Sequence, residues 1–161
     1  MAGVDRLAED EWLRLRVVRL RALAADPTAF GSTYESERDQ PEAFWRARLR
    51  SAAWFVAGRG DESVGIVACV ASPNGDDERQ LDAMWVAPAW RGRGVGEDLA
   101  RAAITWADAH GAAAVSLTVV DGNEHARRLY ERLGFGATGH REPRPRDPGT
   151  WRERLRLSLP E

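Results

Sequence analysis

The sequence has 161 residues, of which 43% are apolar and 30% charged, and this composition supplies enough apolar side chains for the core of one domain. The formal net charge of −2 argues against a protein that coats nucleic acid or an anionic membrane. All 23 basic residues are arginines, so the chain lacks the lysine that pyridoxal-phosphate chemistry and Walker-type nucleotide sites require.

The first predicted elements are two helices. Residues 10–25 carry apolar side chains at helical spacing, with Asp10 as the expected N-cap and Pro27 as the residue that ends the helix. A second helix is predicted over residues 41–49, with Asp39 as its N-cap. A pair of helices therefore precedes the first strand.

Three segments rich in β-branched and aromatic residues are then predicted as strands. They cover residues 54–57, 64–71 and 80–86. Polar turns are expected between them, at residues 58–63 and 73–77. Because short turns join consecutive strands, an antiparallel meander is the expected arrangement.

The second half of the chain alternates helices and strands. The predicted helices cover residues 94–109 and 123–133, and the predicted strands cover residues 113–120, 135–139 and 152–159. A loop rich in arginine and proline, residues 141–149, separates the last two strands. The order αα-βββ-α-β-α-ββ predicts an α/β fold with one mixed sheet and helices on both faces.

The segment between the third strand and the next helix is rich in glycine and arginine. Residues 85–97 read WVAPAWRGRGVGE. Glycines let the backbone approach a ligand closely, and successive N–H groups at a helix N-terminus attract anions. The loop is thus a candidate phosphate or pyrophosphate site, with a tight structural turn as the alternative. A Rossmann fingerprint would need glycine in place of Glu97, and a P-loop would need lysine.

Two motifs resemble those of the GCN5-related N-acetyltransferase (GNAT) family. Arg91, Gly94 and Gly96 occupy the fixed positions of its coenzyme-A-binding motif, Arg/Gln-x-x-Gly-x-Gly/Ala. Residues 123–135 are similar to the family's Asn…Ala…Leu-Tyr…Gly-Phe motif, and residues 29–35 to a run found in many bacterial members. The resemblance covers nearly the whole chain. It implies a single GNAT domain over residues 1–161 with a mixed, mostly antiparallel central sheet.

The resemblance also implies acetyl-CoA as cosubstrate and no metal. In the family, the third and fourth core strands separate at the glycine loop and the pantetheine arm lies between them. Carried over, the backbones of Trp85 and Val86 hold the pantetheine and the acetyl carbonyl, and the Asn123 side chain bonds the pantetheine or the acceptor. The pyrophosphate is expected on the backbone amides of Arg91, Gly92, Arg93, Gly94, Val95 and Gly96.

The implied reaction is direct attack of a neutral amine on the thioester. Tyr130 is the candidate general acid, since a phenol beside the sulfur can protonate a departing thiolate, although its ring could instead only fill the helix face. Gln80 stands where many relatives carry a glutamate, which leaves the general base open. Asp82, on the same strand face, and Glu35, near the acceptor pocket of relatives, are the candidates.

The acceptor is expected to be a primary amine on a small molecule, a peptide or a protein, and the slightly acidic chain favours a cationic small amine. The candidate acceptor-binding residues are Phe30, Tyr34, Glu35, Gln80 and His140. Arg141, Arg144 and Arg146 either recognise an acidic acceptor or are solvated. A non-catalytic acyl-CoA-binding sensor is the alternative function.

The remaining expectations concern location, assembly and packing. The first twenty residues lack an apolar stretch and no segment approaches about 18 apolar residues, so a cytoplasmic protein is expected. Neither nucleic acid nor a membrane is an expected partner, and the last strand is a candidate homodimer contact. Cys69 is predicted to be a small core residue. Packing in the core or beside the cofactor is predicted for most of the tryptophans at positions 12, 45, 54, 106 and 151.

Overall fold

A seven-stranded sheet forms the centre of the computed structural model, which describes residues 3–59 and 62–160. The strands are β1 (Gly3–Arg6), β2 (Ala53–Arg59), β3 (Glu62–Ser72), β4 (Gly75–Val86), β5 (Ala114–Val120), β6 (Gly136–Arg144) and β7 (Asp147–Ser158). They lie in the order β1-β2-β3-β4-β5-β7-β6. Only β4 and β5 pair in parallel, which confirms the mixed, mostly antiparallel sheet.

Helices cover both faces of this sheet. They are α1 (Trp12–Ala25), α2 (Tyr34–Glu37), α3 (Glu42–Ser51), α4 (Val95–Ala109) and α5 (Glu124–Arg132). On one face α4 packs so closely against β3 that a Cβ added to Gly65 would lie 2.9 Å from Leu99 Cδ1. Trp85 belongs to the opposite face, where the guanidinium of Arg21 in α1 lies 5.6 Å from its ring.

The start of the chain differs from the prediction in its extra elements and its caps. β1 and the four-residue α2 were not predicted, because both are too short to show a period. Asp10 does not cap α1, since residues 9–11 form a separate 3₁₀ turn and the helix begins at Trp12. Asp39 does not cap α3 either, because Pro41 occupies the N-cap position without a side-chain hydrogen bond.

The turns of the meander are shorter than predicted. β4 already begins at Gly75, so the turn predicted over residues 73–77 shrinks to its first two residues. β2 and β3 extend into the turn predicted over residues 58–63, and residues 60 and 61 of that turn lie outside the described residues. Longer strands leave fewer backbone N–H and C=O groups without ladder partners.

The arginine-rich loop predicted over residues 141–149 is instead a hairpin. β6 continues to Arg144 and β7 begins at Asp147. Pro143 fits because β6 is an edge strand, where one missing N–H costs little. β7 lies between β5 and β6, so the last strand is not the free edge that a strand-to-strand dimer contact would need. The outer strands of the sheet are β1 and β6.

Most of the packing predictions for aromatic and sulfur side chains are confirmed. Trp45 and Trp54 are buried, and so is Cys69, whose burial raises the pKa of its thiol to about 11. Trp151 is the exception, since it is 45% exposed on β7. Among the described residues, no helix combines the length and apolar character needed to cross a membrane.

Candidate active site

The parallel pairing of β4 and β5 stops early. Cα partners run only from Glu78 opposite Ala114 to Gln80 opposite Ser116, although both strands continue beyond these positions. Residues 81–86 and 117–120 therefore diverge, and they line a cavity of about 1360 Å³. This separation agrees with the divergence of the third and fourth core strands that the family resemblance implied.

A β-bulge bends β4 at the mouth of this opening. Ile66 lies opposite Trp85 and Ala68 opposite Asp82, so two residues of β4 face the single Val67 of β3. Ala83, inside the bulge, has a φ of 58°, which a residue with a Cβ rarely adopts. Bulges bend and twist a strand, so this irregularity accounts for the departure of β4 from β5.

The glycine loop joins β4 to the N-terminus of α4. Gly94 is the N-cap of this 15-residue helix with a φ of 83°, and Gly92 has a φ of 76°. Nothing lies within 4 Å of a Cβ added at either position, whereas one at Gly96 would lie 3.3 Å from Leu129 Cδ1. Gly92 and Gly94 therefore allow the positive-φ backbone conformation and leave the loop surface open, and Gly96 allows close contact with α5.

Most of the predicted cofactor residues line the cavity. These are Trp85, Val86, Arg91, Gly92, Gly94, Val95, Gly96, Asn123 and Tyr130. Arg93 does not line it, and its guanidinium lies 5.4 Å from the ring of Trp90. The Asn123 Oδ1 accepts the N–H of Ala126 at 3.2 Å, so this side chain caps α5 as well as facing the cavity.

Asp26, which was not predicted as a site residue, anchors the glycine loop to the end of α1. Its Oδ2 accepts Trp85 Nε1–H at 2.6 Å and an Nη2 hydrogen of Arg91 at 2.8 Å. Arg91 also donates from Nε to the carbonyl of Val86 at 3.0 Å. The only local signal at Asp26 was a helix end before Pro27, and its partners are 59 and 65 residues away.

Tyr130 lies on α5 with 7% of its surface exposed. Its ring packs edge-on against Phe135, with 5.7 Å between centroids. Burial raises the pKa of the Tyr130 phenol to about 12, so the hydroxyl stays protonated across the neutral range. Among the described residues no hydrogen bond involves this hydroxyl, it is not one of the enclosed unpaired atoms, and Tyr130 lines the cavity.

The predicted acceptor-side residues divide into two groups. Phe30, Gln80, Asp82 and His140 line the cavity. Tyr34 and Glu35 do not, because α2 packs inward through the buried Glu37 and leaves Glu35 exposed. Glu35 was expected near the acceptor, and the structure places it outside the cavity lining. Asp82 is exposed, and its Oδ1 accepts the N–H of Ala83 at 2.9 Å within the bulge.

Two buried glutamates, each held by two arginines, flank the acceptor side. Glu37 accepts hydrogen bonds from Arg19 at 3.0–3.1 Å and from Arg48 at 2.8 Å. Glu78 accepts from Arg154 at 2.7 Å and from Arg156 at 3.0 Å, and also from the hydroxyls of Ser72 and Ser116. Burial opposes ionisation, but these partners lower the pKa of both carboxyls, to about 2 for Glu78.

The arginines of the β6–β7 hairpin are engaged in holding the cavity wall. Arg144 donates to the carbonyl of Thr28 at 2.8 Å, and Arg146 donates to the carbonyls of Phe30 and Ser32. Arg141 pairs with Asp121. Arg144 and Arg146 therefore fasten the hairpin to the segment that follows α1, and Arg141 fastens it to the loop after β5.

With this geometry in hand, comparison with known proteins identifies the family. Residues 17–135 match the sequence model of the acetyltransferase (GNAT) family. The chain belongs to this family. An uncharacterized N-acetyltransferase of Methanocaldococcus jannaschii is 32% identical to this GNAT chain over 95 residues, which are 56% of this chain and 42% of that protein. The chain thus spans less than half the length of that curated relative.

Solved GNAT structures share the whole fold. An acetyltransferase of the GNAT family from Streptococcus pneumoniae superposes with a TM-score of 0.82 at 18% identity, covering 99% of this chain and 100% of that one. An acetyltransferase from Salmonella typhimurium, solved with its cofactor acetyl-CoA, superposes at 0.75 with 19% identity over 100% and 95% of the two chains. At these identities the likeness establishes the GNAT fold and nothing finer.

Proposed function

We propose that the protein is an acetyl-CoA-dependent N-acetyltransferase that transfers an acetyl group to a primary amine. The observation that carries the proposal is one cavity that joins the gap between β4 and β5 to the glycine loop at the start of α4. A gap between strands suits a linear amide chain, and a helix N-terminus suits a pyrophosphate. Both are parts of coenzyme A.

In this proposal the cofactor is held mainly by backbone groups. Beyond Gln80, β4 has no β5 partner, so the backbones of Trp85 and Val86 can bond the pantetheine and the acetyl carbonyl. The amides of the glycine loop, residues 91–96, hold the pyrophosphate, helped by the dipole of α4. Asp26 fixes Arg91 and the Trp85 ring, which keeps the loop in place beside β4.

The bound acetyl-CoA supplies the thioester that a neutral amine attacks. Tyr130 acts as general acid toward the departing sulfur, a role that fits a phenol whose pKa of about 12 keeps it protonated. Asp82 is our choice for the base, directly or through water, since it lines the cavity and Glu35 does not. Gln80 and His140 are left as acceptor contacts. A cytoplasmic location and a homodimer stay predictions.

The first experiment is a calorimetric titration with acetyl-CoA, free CoA and propionyl-CoA, followed by an assay of amines for thiol release. We expect micromolar binding of acetyl-CoA and amine-dependent thiol release. Binding without release to any amine would favour the acyl-CoA-binding sensor. No binding at millimolar cofactor would mean that the glycine loop is only a turn.

A pair of glycine variants sharpens this titration. Gly94 and Gly111 both have a positive φ, 83° and 81°, and open space where a Cβ would be added. Gly94→Ala and Gly111→Ala should therefore each destabilise the fold by roughly 1–2 kcal/mol. Only Gly94 lines the cavity. We expect Gly94→Ala to weaken acetyl-CoA binding by about tenfold or more and Gly111→Ala to leave it unchanged, and equal effects would contradict the proposed phosphate site.

A further inference from the structure

The acceptor side of the cavity carries more arginine than carboxylate. Each of the two buried glutamates, Glu37 and Glu78, is shared by two arginines. Each cluster therefore keeps one positive charge in excess. The local charge of these clusters is therefore positive, whereas the net charge of the whole chain is −2. On the sequence alone, that net negative charge had favoured a cationic acceptor. The field inside a cleft follows its own lining rather than the total charge.

Arg154 brings one of these excess charges into the cavity. Its Nη2 donates to both carboxylate oxygens of Glu78 at 2.7 Å, while its partner in the cluster, Arg156, does not line the cavity. The Arg154 Nε is buried, and within the described residues it has no hydrogen-bond partner. Nη2 is taken by Glu78 and Nε is enclosed, whereas Nη1 makes no hydrogen bond within the described residues and is not among the buried nitrogens, so Nη1 is the nitrogen left to bind an acceptor atom in the cavity.

Asp82 stands on the same sheet face as Arg154, on the other side of β5. The last parallel pair joins Gln80 to Ser116, and each strand then continues by two residues to Asp82 and Thr118. Thr118 in turn is the Cα partner of Arg154 on β7. Because residues two apart share a face, the carboxylate and the guanidinium flank the opening between β4 and β5. All three residues line the cavity.

We propose that the acceptor amine also carries a carboxylate, which Arg154 binds while Asp82 faces the amine. Amino acids and similar small amino-carboxylates are the matching class. The inference rests on the proposed function, because it assigns a specificity residue to that same site. It replaces the cationic acceptor that the composition favoured with a zwitterionic one.

The test uses two conjugates that carry cofactor and acceptor in one molecule. CoA is linked through its sulfur and an acetyl spacer to the nitrogen of β-alanine in one conjugate, and to that of β-alaninamide in the other. The pair differs only in a carboxylate against a carboxamide. We expect the unmodified protein to bind the carboxylate conjugate about tenfold more tightly in calorimetry, the effect of one charge-assisted contact.

Two variants separate contact with Arg154 from its structural role. Arg154→Gln and Arg156→Gln each remove one arginine from Glu78, but only Arg154 lines the cavity. We expect the preference for the carboxylate conjugate to vanish in Arg154→Gln and to persist in Arg156→Gln. Arg154→Lys, which keeps a charge beside Glu78, serves if the glutamine variant does not fold, and it should reduce the preference.

Each outcome decides the matter. Equal affinity of the unmodified protein for the two conjugates would overturn the inference and leave the proposed function standing. An equal loss of preference in Arg154→Gln and Arg156→Gln would also overturn it, since the effect would then act through Glu78. Failure of both conjugates and of acetyl-CoA to bind would reject the proposed function itself, and the inference with it.

Discussion

The two halves of the cavity are held together by different kinds of contact. On the cofactor side, the glycine loop and the start of α4 form one continuous stretch, residues 85–96, and depend on backbone conformation at Gly92 and Gly94. On the acceptor side, charged side chains join segments that are 11 to 116 residues apart in the chain. The glycine loop of the cofactor half thus depends on residues that are close together in the chain, whereas the acceptor half depends on side chains that folding brings together from distant parts of the chain.

This difference predicts where substitutions act. A change in the acceptor half that removes a buried charge should lower the stability of the whole fold, because it leaves other charges without partners. A side-chain change in the cofactor half that leaves the positive-φ glycines in place should alter binding or turnover with little effect on stability. Substitutions in each half test this contrast, and they follow from the largest expected effect to the smallest.

The largest effect is expected from Glu78→Gln. The neutral amide would leave Arg154 and Arg156 close together without the carboxylate that both bind, at a position only 5% exposed. We expect the free energy of unfolding to fall by about 3 kcal/mol in urea titrations. Glu142→Gln is the control, since Glu142 is 41% exposed and its pair with Arg152 should contribute less than about 1 kcal/mol. Similar losses of unfolding free energy in Glu78→Gln and Glu142→Gln would contradict the claim that buried charges stabilise the acceptor half.

The same glutamate predicts an acid dependence of stability. Because its partners lower the pKa of Glu78 from 4.5 to about 2, its contribution is complete above about pH 4.5 and is lost as the pH falls toward 2. The difference between these two pKa values corresponds to a contribution of roughly 3 kcal/mol to the free energy of unfolding. Between pH 4.5 and pH 2, the free energy of unfolding of Glu78→Gln, measured by urea titration, should therefore fall less steeply than that of the unmodified protein.

These contacts also explain which parts of the site could be predicted from the sequence. The glycine loop was predicted as an anion site from its own consecutive residues, and Asn123 and Tyr130 were predicted because residues 123–135, a continuous stretch, resemble a family motif. Asp26 and Glu78 were not, because each is an ordinary carboxylate until folding brings arginines or an indole N–H to it from 59 to 78 residues away. Glu35 was expected beside the acceptor and instead lies exposed outside the cavity lining. Proximity in sequence to Phe30 said nothing about which side of α2 faces inward.

A second, purely kinetic effect is expected from Tyr130→Phe in the cofactor half. The variant keeps the ring that packs on Phe135 and removes only the hydroxyl of this cavity-lining residue. We expect kcat to fall by about 100-fold, while the acetyl-CoA Kd and the melting temperature stay within error. Since the pKa of the phenol is about 12, kcat of the unmodified protein should show no decline from its ionisation below pH 10. An unchanged kcat would remove Tyr130 from the mechanism.

The smallest effect is expected from Asp26→Asn, where a side chain remote in sequence supports the cofactor half. An asparagine oxygen can still accept the Trp85 indole N–H, but it loses the charge that holds Arg91, in a pair that is partly exposed. We expect acetyl-CoA affinity to fall about threefold and the free energy of unfolding by less than about 1 kcal/mol.

A double-mutant cycle with Arg91→Gln shows how that support works. If Asp26 acts by holding Arg91 against the loop, Asp26→Asn should cost no further acetyl-CoA affinity in the Arg91→Gln protein. If instead the two losses add, Arg91 contacts the cofactor independently of Asp26. The glycine loop would then bind the cofactor through a side chain as well as its backbone. The cofactor half would in that case resemble the acceptor half in depending on a charged side chain.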